Sequence, residues 1–182
     1  FEVTSYEVIK DILPPFFWSN TDTGFYRERA TASLGYKDSL LSYKIVKNGK
    51  LNSADQLVLQ DGGNMVKRSR YILHADTLYT LVCFAPATIV ADEQHSAFFD
   101  QFIIKDDGKA SSVLKNKAGE LIKALSGKDS TNAVNARNII DKVSFTKEEL
   151  PLLYNAMLLQ YPDDSMTYSS TRSKLIDVIE EL

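Results

Sequence analysis

Cysteine is nearly absent from this 182-residue chain, where Cys83 is the only one. A single thiol excludes an internal disulfide and any cysteine-based zinc site within the chain. Its neighbours Val82 and Phe84 mark it as a structural thiol on a buried strand. Histidine is scarce too, with only His74 and His95. The chain has no Gly-x-x-x-x-Gly-Lys phosphate loop, no Gly-x-Gly-x-x-Gly and no Gly-x-Ser-x-Gly elbow. No long apolar run occurs: the stretch from Leu81 to Ala87 is far shorter than the roughly 18 residues of a membrane span. Positive charge is not in excess, with 21 Lys and Arg against 24 Asp and Glu. A net charge of -3 gives no general attraction to nucleic acid or anionic lipid, so neither is an expected partner.

What is present suits a folded core. The chain is 44% hydrophobic, and its length fits one domain or two small ones. The first 104 residues carry strand and turn signals. Asn48-Gly49 lies between extended segments and tolerates positive φ at both positions, a hairpin signal. Asp61-Gly62-Gly63-Asn64 separates two further strand-like runs, and a weaker turn falls near Ala75-Asp76. Residues 43–84 therefore read as an antiparallel meander of about four strands. The strand over 77–85 is apolar on both faces, as a central, covered strand would be.

Pro86 ends that strand. Asp92 suits a helix N-cap and Glu93 the first turn that follows it. His95, Phe98, Phe99 and Phe102 then recur at helical spacing, so the Asp92-Glu93-His95 cluster reads as the start of a helix that docks on the sheet. Phe102-Ile103-Ile104 is expected to begin a closing strand.

Beyond a polar stretch at 105–111, every apolar pattern has helical period. Leu114, Ala118, Leu121, Ile122 and Leu125 form one stripe, stopped near Gly127, and Val134, Ile139, Ile140 and Val143 form another. Thr146 and Glu149 match a capping box ahead of Pro151, and a last helix starts near Ser169 or Ser170. The fold class is thus α+β: an antiparallel sheet with a flanking helix over 1–104, a linker at 105–111, and a small all-α region of helical hairpins over 112–182. Phe1 in first place and a last helix that stops without a terminating glycine or proline suggest a piece cut from a longer protein.

Several patterns resemble chemistry without its companions. Ser112–Lys115 and Ser144–Lys147 have Ser-x-x-Lys spacing, but Ser-Asp-Asn and Lys-Thr-Gly are missing. Asp106-Asp107 and Asp163-Asp164 lack the spacing of a calcium loop and read as solvated carboxylates. Lys67, Arg68 and Arg70 read as a partly solvated sheet face whose stems cover apolar surface. No catalytic residue, cofactor site or metal site is assigned. The unusual patch is "LPPFFWSNTDTGFYRERA", residues 13–30. Its Phe16, Phe17, Trp18, Phe25 and Tyr26 are the candidate interface, with core packing as the competing role and a sugar-binding platform as a further one.

The strand with Leu78-Tyr79 at its centre, followed by a short acidic stretch and Phe98-Phe99-Asp100-Gln101-Phe102, resembles bacterial modules related to the PsbP-like fold. Such modules end in a Phe-Phe-Asp-Ser-Phe-like segment, and Gln101 stands here where serine is common. The resemblance covers about 38–104 and none of the helical half. It implies an antiparallel sheet with flanking helices in a long, often exported, bacterial protein, hence a periplasmic or secreted setting, and no shared catalytic residues. The expected function is a non-catalytic interaction or structural module of a larger bacterial protein, whose partners are the parent's other domains or another protein. The alternative is a small-ligand or glycan binder using the 14–26 aromatics.

Overall fold

The computed structural model describes residues 4–48, 51–90, 93–105, 112–166 and 168–182. Gly49 and Asp92, and all of the expected linker 105–111 except Lys105, lie outside the described residues. The chain divides into two compact units, one of Phe1–Leu13 with Thr21–Ser112, the other of Pro14–Asn20 with Val113–Leu182. Segment Pro14–Asn20 therefore groups with the helices, although its position in sequence assigns it to 1–104. Hydrogen bonds tie it there: Ser19 N–H donates to the Val113 carbonyl at 2.8 Å, and the Lys117 side chain donates from Nζ to the Pro15 carbonyl at 3.0 Å. Among the described residues no helix is long and apolar enough to cross a membrane.

The first unit is α+β. It contains strand β1 (Ser5–Ile12), helix α1 (Asp22–Ala32), strands β2 (Ser39–Asn48), β3 (Leu51–Leu59), β4 (Met65–His74) and β5 (Thr77–Pro86), and helix α2 (Glu93–Gln101). The five strands form one antiparallel sheet in the order β1-β5-β4-β3-β2. The expected meander is β2 to β5. Its middle connection uses Asp61 and Gly62 at φ 49 and 65, the pair of left-handed residues that keeps the twist of the flanking strands. The expected closing strand at 102–104 does not form: α2 ends at Gln101 and irregular chain follows. The reason lies at the other end of the chain. β1 takes the free side of β5, from Ser5 opposite Phe84 to Ile12 opposite Thr77.

Each helix of this unit covers one face of the sheet. α1 begins at Thr21, whose hydroxyl accepts from Gly24 N–H, and buries Phe25, Tyr26 and Ala30. The Tyr26 hydroxyl donates to the Asn52 carbonyl at 2.7 Å and accepts from Leu73 N–H at 2.8 Å, bridging backbone groups of β3 and β4. Buried Gln56 accepts from the Tyr71 hydroxyl at 2.9 Å and donates to the Ala30 carbonyl at 2.8 Å. On the other face, Phe99 of α2 is fully buried with Val66, Ile72, Leu81, Cys83, Ala85 and Val90, and Phe98, Phe102 and Ile104 pack against that cluster.

The second unit holds α3 (Ala118–Leu125), α4 (Ser130–Ile139), α5 (Leu150–Met157) and α6 (Thr171–Glu180). α3 packs on α4 and α5, and α6 packs on α5. Leu121, Leu125, Ala136, Ile140, Leu153, Ala156 and Leu175 form its interior, with Trp18 edge-on to Phe145 at 5.1 Å. Caps set the helix starts. Asp129 accepts from Thr131 and Asn132 N–H, Thr146 and Glu149 form the capping box, and Ser170 accepts from Ser173 N–H.

Candidate functional site

Antiparallel pairing aligns side chains in rows across the α2 face of the sheet. One row reads Lys44, Asp55, Arg70, Leu81, Val8, and the next Ser42, Leu57, Arg68, Cys83, Tyr6. Asp55 and Arg70 are thus directly opposed on β3 and β4, with Arg68 on the diagonal, and both opposed groups are buried. Arg70 forks onto the carboxylate, Nε to Oδ1 at 2.5 Å and Nη2 to Oδ2 at 2.9 Å. Arg68 Nη2 adds a third bond to Oδ2 at 3.0 Å. The remaining Arg70 nitrogen, Nη1, donates to the Phe99 carbonyl and to Asp100 Oδ1, each at 2.9 Å. Arg68 Nη1 donates to Ser96 Oγ at 3.1 Å. The Phe99 ring lies under both guanidinium groups, 4.2 Å from that of Arg68 and 5.5 Å from that of Arg70.

Burial raises the Asp55 carboxyl, but the bonds and charges of Arg70 and then Arg68 outweigh it and hold Asp55 below the usual carboxylate range. For Arg70, burial works against the cation, and Asp55 and then Asp100 more than restore it. A carboxylate saturated by donors and held below its ordinary range is a poor proton acceptor. Cys83, one position along from Arg68, has its thiol pushed up by burial, which disfavours the reactive thiolate. This network organises the sheet and supplies no activated base or nucleophile.

The second feature is the open edge of the sheet. β1 pairs only with β5 among the described strands, and seven of its eight residues are exposed. Tyr6, Val8 and Ile12 lie on the α2 face, 45%, 46% and 77% exposed. The Tyr6 ring stacks on buried His95 at 5.7 Å, and its hydroxyl is hydrogen-bonded to His95 Nδ1. On the opposite face Glu7 and Asp11 stand opposite Val82 and Leu78 of β5 and make no ion pair among the described residues.

The aromatic patch expected as an interface is mostly interior. Trp18 and Phe25 are fully buried, Tyr26 and Phe17 nearly so, and Phe16 is half-buried. Phe16, Phe17 and Trp18 belong to the helical unit, Phe25 and Tyr26 to the sheet unit. Four of the five rings are thus buried, and Phe16 is partly exposed. The basic run also differs from its expected role, because Arg70 is buried and paired rather than solvated. Asp163 and Asp164 are structural as well. Asp163 accepts from Thr171 N–H and hydroxyl at the start of α6, and Asp164 takes a two-pronged bond from Arg172. Ser112 donates to Asp76, and Lys115 lies 3.7 Å from Glu120. Among the described residues no group of three or more His, Cys, Asp and Glu side chains is placed to hold a metal ion.

Asp55 and the β1 edge were not singled out from sequence. For Asp55 the signal existed: a connection centred between Gly62 and Gly63 sets residue 55 opposite residue 70. No protein-family model matches the chain, and a search of curated proteins finds no match.

Proposed function

We propose that this chain is a non-catalytic interaction module whose sheet unit takes an extended segment of a partner protein along β1. The observation that carries the reading is the outer side of β1, which pairs with no other described strand, on an eight-residue edge whose α2 face carries Tyr6, Val8 and Ile12 with Lys10 among them. Edges of this kind template strand addition unless they are blocked. Charge selects the occupant. Glu7 and Asp11 share the face away from α2, have no counter-ion among the described residues, and stand beside apolar Val82 and Leu78. A partner strand with Lys or Arg opposite them, alternating with apolar residues opposite Tyr6, Val8 and Ile12, answers both faces. A second copy paired antiparallel in one continuous sheet does not, because its only β1 cation, Lys10, falls on the other face.

Fluorescence anisotropy with a labelled peptide of alternating lysine and valine tests this. The expected result is saturable binding that weakens when glutamate replaces lysine in the peptide, and a preference that reverses in the Glu7→Lys/Asp11→Lys variant. Both positions are exposed, so the variant keeps its fold. Equal binding of the two peptides, or a preference unchanged by the charge reversal, overturns the reading, as does self-association of the chain in place of peptide binding.

A further inference from the structure

A cavity of about 200 Å³ opens beside the arginine network, within the sheet unit. Ser42 and Lys44 of β2, Asp55 and Leu57 of β3, Arg68 of β4 and Ser96 of α2 line it, with Val90 beside them. We infer that this cavity is a binding site for a small carboxylate monoanion with a short aliphatic tail.

Charge decides the sign of the ligand. Lys44 is directly opposite Asp55, but both Asp55 oxygens are already taken by guanidinium groups. Lys44 makes no ion pair and remains exposed at the cavity. Among the described residues Lys44, Arg68 and Arg70 are set against two carboxylates, Asp55 and Asp100, so one positive charge is left over among these five groups. One surplus charge matches a monoanion better than a phosphate dianion. Donors are to hand in the Lys44 ammonium, the Ser42 hydroxyl, which bonds nothing else, and the Ser96 hydroxyl, which accepts from Arg68. Size and lining set the rest. The cavity is smaller than the roughly 300–1,000 Å³ of sites for drug-sized ligands, and Leu57 and Val90 offer apolar surface to a tail of a few carbons.

Butyrate, its neutral isostere butyramide, and inorganic phosphate are the probes, titrated into the full chain and followed by amide NMR. Butyrate is expected to give saturable shifts at residues 42, 44, 57 and 96. Butyramide should bind about tenfold more weakly, because a charge-assisted bond is lost. Lys44→Met should weaken butyrate by a similar factor while leaving the spectrum of α1 unchanged, and Ser42→Ala should weaken it by roughly threefold. Butyramide binding as tightly as butyrate, phosphate binding more tightly than butyrate, an affinity indifferent to Lys44→Met and Ser42→Ala, or no saturable shift at these positions would each overturn the assignment. The site lies away from β1, so neither result bears on binding at the sheet edge.

Discussion

Asp55→Asn tests the buried network most directly. The change keeps the shape of the side chain, removes its charge, and turns one of two acceptor oxygens into a donor aimed at a guanidinium. Three bonds of 2.5–3.0 Å from Arg70 and Arg68 are lost or weakened. Breaking one side of a buried ion pair costs about 3–5 kcal/mol, since the remaining charge is left without compensation. Arg70 keeps Asp100 and the Phe99 carbonyl, and Arg68 keeps Ser96 and the Phe99 ring, so the lower end, about 3 kcal/mol, is expected. That is a large share of a typical domain stability. Urea unfolding followed by circular dichroism, with amide exchange of β4 as the local probe of the sheet, gives the number. A cycle with Arg70→Met should show coupling of about 2 kcal/mol. The pH dependence carries a sign. Asp55 is held below its unfolded value near 3.9, so its contribution is complete above that value and is lost as pH falls through the folded one. The gap between parent and Asp55→Asn should therefore be constant near neutrality and close in acid. A gap under about 1 kcal/mol at neutral pH, or one that persists unchanged in strong acid, would refute the reasoning.

Three other outcomes follow from the same packing. Phe99→Ala should destabilise the sheet unit by about 3–5 kcal/mol in urea, since it empties the centre of the α2 face and removes the ring beneath both arginines. Tyr26→Phe should cost about 1–3 kcal/mol and speed amide exchange at Leu73, whose N–H loses its acceptor along with the donor to Asn52. Thr146→Ala should cost about 1 kcal/mol in the helical unit, read from its helical circular dichroism on heating, while amide exchange in β4 stays as in the parent.

The parts of the fold legible in sequence are those with local chemistry. Turn residues delimited β2 to β5, the aromatic stripe gave α2, the cap at Thr146 marked the 3-10 turn that leads into α5, and the cap at Ser170 marked the start of α6. What escaped depends on distant partners. β1 mixes polar and apolar residues on both faces, as a largely exposed edge can, so it lacks the alternation that marks a half-buried strand. α1 buries only Phe25, Tyr26 and Ala30 and has Gly24 in its first turn, too short a stripe to stand out, although Thr21 already offered a cap. The aromatic density of 13–30 was visible, but its division between two cores was not, because nothing local tells a ring which interior it will join. The same holds for Asp163 and Asp164, whose roles depend on Thr171 and Arg172 eight residues on.

The cost of burying charge in the sheet has a counterpart in register. A slip of one residue between β3 and β4 would turn Asp55 to the α1 face and leave two guanidinium groups against the Phe99 ring with no carboxylate. A slip of two in one direction sets Asp55 opposite Ile72, leaving Arg70 only the diagonal position and Arg68 no carboxylate. In the other it sets Asp55 opposite Arg68 and leaves Arg70, the more deeply buried cation, facing the Ser53 hydroxyl, which cannot neutralise it. β4 cannot shift to compensate, because Arg70 and Arg68 are also bonded to the Phe99 carbonyl and Ser96 of α2. An all-apolar face would carry less penalty for a two-residue slip, since such a slip keeps every side chain on its own face. The charged pair removes that tolerance, and the registers it disfavours are those that would also move Leu57 of β3 away from Arg68 of β4, which face each other at the cavity.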